Sequence, residues 1–429
     1  LTDTSLPDSL SITDATLAAD GGRPVRTAEW PTYDKGDVFI CPADEQAGID
    51  AIKRRLYFRY DYRAVSDTET GRFESALCDY FGVPHALGCT SGTTAIALAL
   101  LGLALPPRSV VLCPAFTFAA TPSAIQLAGH RPVFVECDEN LNLDIDDLRG
   151  KLTDEVKAVV VVHMRGVASD VDAVRALTDP LDIPVIEDAV PALGARLRGR
   201  QLGTIGVAGA FSTQSDKSIN TGEGGFLLTA DTELFARATV YSGAYEGRMR
   251  RHFEPAGLPP IAVNDLDHPI FGWRMDEIRA AMATSMLNRL DERVAAHRRN
   301  YTVVAEGLAG VSRIAVRQPV EPGALLGESM MFRVLDVHEG TAARFACALR
   351  AEGICARNIG DVDDCNVRAF WNWRFCFPDA AQARRSLPRT AMLLEQTVDI
   401  PLSANLTLDD CADLVEAVRK VAAGLGTGR

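Results

Sequence analysis

HALGCT (85–90), SVVLCPA (109–115), RPVFVEC (131–137), VKAVVVVH (156–163), IPVIEDA (183–189) and VAGAFST (207–213) are short runs of apolar and β-branched residues. Helix-length stretches separate most of them. Runs this continuously apolar suit strands covered on both faces, and their alternation with helices gives a mostly parallel sheet between helical layers. An α/β domain is therefore expected here.

Upstream, the spacing of apolar positions predicts a helix around 44–55 and another through GRFESALCDYFG (71–82). Downstream, TSMLNRLDERVAAHRR (284–299) reads as one long amphipathic helix with Met286, Leu287, Leu290 and Val294 on a common stripe. Beyond it, SMMFRVLDV suggests a strand, and TAARFACALRAEG and LDDCADLVEAVRKVAAG suggest helices, which fits a smaller α+β unit. The first residues, rich in Ser, Thr, Asp and Gly, read as an arm that is loose unless something pins it. The expected division is an arm over 1–25, a large α/β domain over 26–290 and a small α+β domain over 291–429.

The length of 429 residues allows two or three domains, and 47% hydrophobic with 24% charged residues is the composition of a globular chain. A net charge of −13 disfavours nucleic acid as a partner, because phosphate binding leans on a basic surface. No run approaches the apolar length of a membrane span, and no signal pattern opens the sequence, so cytoplasmic placement is expected. The ten cysteines include no Cys-x-x-Cys pair, and no histidine pair stands at metal spacing; reduced thiols and no metal are expected.

In open parallel sheets, ligands bind at the carboxyl ends of strands. Four segments there carry chemistry. Thr90-Ser91-Gly92-Thr93-Thr94 opens an apolar helix, where small residues let amides and hydroxyls converge on an anion; a plain helix cap is the alternative. In Glu187-Asp188-Ala189, an acid at the ligand edge implies a cationic partner or a helix-capping role. Lys217 follows a strand and precedes a glycine-rich turn in FSTQSDKSINTGEGGF (211–226), where an amine can bond to a carbonyl or simply face solvent. Phe118 in PAFTFA (114–119) can stack on a planar ring or pack in the core.

Together, in this order, HALGCTSGTTAIALAL, PAFTFAATPSAI, VHMRGVASDVDAV, EDAVPALGA, FSTQSDKSINTGEGGFLLT and GWRMDEIRAAMA resemble the DegT/StrS family of pyridoxal 5′-phosphate (PLP) aminotransferases, which act on keto-sugars and keto-cyclitols. The resemblance covers nearly the whole chain. It implies the aspartate aminotransferase-like fold type I, a seven-stranded mostly parallel sheet with a small C-terminal domain, and a homodimer. It also implies Lys217 as the lysine that bonds to the cofactor's aldehyde and shuttles a proton, Asp188 against the pyridine nitrogen, Phe118 on the ring face, and Gly92, Thr93 and Ser212 on the phosphate. Its small-molecule partners are an amino donor, glutamate or glutamine, and a keto acceptor, in amino-sugar, aminocyclitol or antibiotic biosynthesis.

Three positions depart from the family's pattern. Pro191 stands where a Gln or His commonly reaches the cofactor's phenolic oxygen, Gly272 where an Asn commonly crosses to the neighbouring subunit, and Arg165 lies in VHMRG. Arg165 is expected to be satisfied by acids and Arg274 to be a structural ion-pair partner. The segments Arg59–Arg63 and Phe370–Phe375 are candidate pocket linings, with core packing as the alternative for their aromatics. A PLP lyase, dehydratase or cyclising enzyme, and a non-catalytic regulatory or binding homologue, are the other readings of the same scaffold.

Overall fold

The computed structural model describes residues 16–31, 40–253, 263–335, 338 and 340–425. The apolar runs form strands β1 (His85–Cys89), β2 (Val110–Pro114), β3 (Arg131–Val135), β4 (Val156–Val162) and β5 (Val185–Asp188). A short hairpin, β6 (Arg196–Leu197) with β7 (Arg200–Gln201), precedes β8 (Ala208–Ser212) and β9 (Gly225–Thr229). Seven strands share one sheet in the order β1-β9-β8-β5-β4-β2-β3, and β9 alone runs against its neighbours. This is the mostly parallel seven-stranded sheet of fold type I. β1, β2, β5, β8 and β9 are buried along their whole length, as strands covered on both faces must be.

The helix Gly92–Gly102 is apolar all round and accordingly buried all round. Thr68 caps the helix Glu69–Phe81 by accepting from the Gly71 amide at 2.9 Å, and Gly82 ends it at φ 68°. The helix expected over 284–299 is instead two, Glu277–Leu287 and Leu290–Gly307, broken at Asn288–Arg289. The stripe survives the break, with Met286, Leu287, Leu290 and Val294 all buried. At the break Arg289 turns to pair with buried Asp44, a tertiary contact that periodicity does not carry.

Strands β10 (Ile314–Val316), β11 (Ser329–Val334), β12 (Arg357–Asn358) and β13 (Thr397–Pro401) make an antiparallel sheet in the order β10-β11-β13-β12. Helices Thr341–Ala351 and Leu408–Gly424 contribute to its core. The described part of the expected arm is pinned to this unit. Leu17 is buried in its core, and Glu352 accepts from the amides of Ala18 (2.8 Å) and Val25 (3.0 Å) while pairing with buried Lys420 (3.0 Å). Arg26 reaches Asp410 and Asp413 on the last helix. Residues 1–15 lie outside the described residues. No described helix is long and apolar enough to cross a membrane.

Candidate active site

β1, β5 and β8 run in one direction, so their carboxyl ends deliver residues 89–92, 188–190 and 212–217 to one edge of the sheet. A cavity of about 240 Å³ opens there, and all six residues expected at the site line it: Gly92, Thr93, Phe118, Asp188, Ser212 and Lys217.

The helix start is built by a reciprocal cap. Ser91 Oγ accepts from the Thr94 amide (3.1 Å), and Thr94 Oγ1 accepts from the Ser91 amide (2.9 Å). The cap leaves the first helical amides, at Gly92 and Thr93, facing the cavity region with the positive end of the helix dipole. Gly92 is required by proximity, since a Cβ there would lie 2.9 Å from Val190 Cγ2 and 3.0 Å from Ser212 Cβ. Gly225 is required in the same way, 2.6 Å from the Phe211 carbonyl oxygen and 2.7 Å from the Gly92 nitrogen.

Asp188 is 5% exposed. Its carboxylate accepts from Thr121 Oγ1 (2.7 Å) and the Val190 amide (3.3 Å), yet burial outweighs these bonds and pushes its pKa up. Such a carboxylate gains from a cation placed opposite it. Its neighbour Glu187 does different work. Glu187 accepts from the Gly203, Ile205 and Gly206 amides at 2.8, 2.6 and 2.6 Å and from His163 Nε2 at 3.0 Å. His163 Nδ1 accepts from the Ser169 amide, so Nε2 carries the ring proton. The two acids thus divide between holding the sheet edge together and facing the cavity.

Lys217 sits in the loop joining β8 to β9. The Thr213 amide bonds the Gly224 carbonyl (2.9 Å), the Ser215 amide the Gly222 carbonyl (3.1 Å), and the Lys217 amide the Gln214 carbonyl (2.9 Å). Buried Arg293 donates to the Ser218 carbonyl and fixes the residue after the lysine. Lys217 Nζ lies 3.5 Å from Asp216, a long contact that leaves the amine available to the cavity. Phe118 is 46% exposed, which gives it a free ring face.

Other residues arrive from distant parts of the chain. Arg165, held at φ 54°, pairs with Asp399 (2.8 Å) and approaches Glu328 (3.9 Å), so acids satisfy it as expected. Glu328 is buried, and burial raises its pKa. Arg368 lines the same cavity, with its guanidinium 5.8 Å from the Phe118 ring centre. Sequence reading passed over Arg293, Glu328 and Arg368.

Neither candidate lining reaches this cavity. Arg59 is buried against Glu74 (2.7 Å), and Phe370, Trp371 and Trp373 belong to the core. Arg274 is structural, but it donates to the Gly243 carbonyl (3.1 Å), with no acid paired to it among the described residues. Pro191 lines the cavity and offers no side-chain donor, while Gly272 has open space where a side chain would stand.

An amine, a buried carboxylate, an exposed aromatic face and a helix start converging on one small cavity are the donor set that PLP needs. The sheet is that of fold type I, and the cleft at its edge fits this cofactor. Among solved structures, Helicobacter pylori PseC, an aminotransferase involved in pseudoaminic acid biosynthesis, superposes with a TM-score of 0.76 at 20% identity, over 92% of this chain and 99% of that one. The model of the DegT/DnrJ/EryC1/StrS aminotransferase family matches residues 63–419, and the chain belongs to that family.

GDP-perosamine synthase of Caulobacter vibrioides is 36% identical over 228 residues, 53% of this chain. L-glutamine:2-deoxy-scyllo-inosose aminotransferase of Streptoalloteichus tenebrarius is 34% identical over 290 residues, 66% of this chain. The matches span 58% and 66% of those relatives, under two thirds of each.

Proposed function

We propose that the chain is a PLP-dependent aminotransferase that moves an amino group from glutamate or glutamine to a keto-sugar or keto-cyclitol in amino-sugar, aminocyclitol or antibiotic biosynthesis. The observation that carries this reading is the convergence of Lys217, Asp188, Phe118 and the Gly92–Thr93 helix start on one cavity. Family membership and the two relatives above support it.

In this reading the Gly92 and Thr93 amides and the Ser212 hydroxyl hold the cofactor's phosphate, Asp188 its ring nitrogen, Phe118 its ring face and Lys217 its aldehyde carbon. When bound, PLP supplies an electron sink and a carrier for one amino group. Lys217 would act as base and then as acid within each half of the reaction, taking a proton from one carbon and delivering it to the other, between substrate and cofactor. Asp188 holds a proton at the pyridine nitrogen, and Thr121 orients its carboxylate. The Glu187–His163 pair and the Arg293 anchor keep both groups on fixed backbone.

A homodimer, cytoplasmic placement and the division of the chain at about residue 290 belong to the same proposal; family resemblance supports the dimer, and the two separate sheets support the division. Adding L-glutamate or L-glutamine to purified holoenzyme should convert the cofactor's absorbance band to that of its amino form. A band unchanged by every amino donor contradicts transamination. Pro191 in the cavity wall favours one second reading, a lyase or cyclising enzyme on the same scaffold. That reading requires product without an equivalent of keto acid.

A further inference from the structure

Three cations line the cavity among the described residues, and two of them have an acid within ion-pair distance. Arg165 is taken by Asp399 and approaches Glu328, and Lys217 lies nearest to Asp216. Arg368 is part-buried, reaches the cavity wall and has no carboxylate within ion-pair distance among the described residues. Its backbone is fixed by the Arg368 amide bonding Asn366 Oδ1 (3.0 Å) and by the packing of Phe370, Trp371 and Trp373 just beyond it. Asp399, Glu328 and Asp216 act on this guanidinium from a distance and none contacts it, so its planar fork is open to a bound anion and suits a carboxylate.

The surroundings select the size of that charge. Asp216, Glu223 and Glu328 also line the cavity, and Asp399 stands behind Arg165. A single negative charge is matched by Arg368, whereas the two or three charges of a diphosphate would meet these acids with one free cation to offset them.

We infer that Arg368 is the specificity-determining residue of the amino-donor half-reaction and binds a carboxylate of the donor beside Lys217. The inference rests on the aminotransferase reading. It gives one cavity two selective elements from opposite ends of the chain: the strand-end residues for the cofactor, and an arginine from the segment after β12 for the substrate that loads it.

The test is binding of glutarate and of its uncharged isostere glutaramide to wild-type, Arg368→Gln and Arg368→Lys holoenzymes, read by titration calorimetry. Glutarate should bind the Gln variant more weakly than wild type by a factor on the order of 30 or more, the loss expected on removing one partner of a desolvated charge pair. The Lys variant should recover part of that loss, and glutaramide should bind all three alike. A merely structural role moves both ligands together and overturns the inference. So does equal glutarate affinity in wild type and the Gln variant, or a loss confined to GDP or UDP, which would assign the arginine to a phosphate. Failure of the aminotransferase reading looks different: no amino donor changes the cofactor band of wild type, while the charge-dependent loss of glutarate binding remains.

Discussion

Burial opposes the ionisation of Asp188. Its pKa is raised, so between about pH 4 and that raised value the folded chain holds a proton that the unfolded chain has released. The stabilisation from that proton is complete below the unfolded value and is lost as pH rises through the folded one. At neutral pH the cofactor-free protein therefore bears, relative to about pH 4, the cost of an acid whose ionisation burial opposes, and the substitution Asp188→Asn removes that cost while keeping an acceptor for Thr121. In thermal melts of cofactor-free protein, Asp188→Asn should unfold at a higher temperature than wild type at pH 7, with the gap closing toward about pH 4. Cofactor retention should move the other way, weakening by a factor on the order of ten or more as the partner of the ring nitrogen is lost. A variant that melts lower at pH 7 and binds PLP normally would remove Asp188 from the site.

At the scale of elements, the site is a strand edge pressed against a helix start. Gly92 has a Val190 methyl and the Ser212 Cβ within 3.0 Å of where its own Cβ would stand, so Gly92→Ala must displace the helix from β8 or push Val190 aside. Overpacking of this kind costs about 1–3 kcal/mol, which denaturant unfolding measures, and phosphate affinity should fall with it because the amides move. Unchanged stability and PLP affinity would place the phosphate elsewhere. These strand-end features were legible in the sequence because each is local: a cap, an acid after an apolar run, a lysine before glycines. Arg368, Glu328 and Arg293 were not, because only tertiary packing brings them to residues more than 70 positions away, and an arginine in VRAFW has no local mark that separates it from a surface one. Phe370, Trp371 and Trp373 show the converse, since core and pocket aromatics read alike until the core is seen around them.

For the molecule as a whole, the seven-stranded sheet was legible because its strands are apolar throughout, and the short antiparallel sheet was legible only in part. β12 is two residues long and has no pattern to read. Likewise, the pinning of residues 17–26 depends on Glu352 and Lys420, hundreds of positions away, which an arm rich in small polar residues does not announce. Both sheets contribute to one cleft, Asp188 and Lys217 from the large sheet's edge and Glu328 from the residue just before β11. Among the described residues, Lys217 alone of the chain's six lysines lines that cleft. Borohydride reduction of holoenzyme followed by tryptic peptide mapping locates the cofactor directly. The expected result is a single modified peptide containing Lys217, with trypsin blocked after that residue; a reduced holoenzyme carrying the label on another lysine, or on none, would contradict the assignment of the active site.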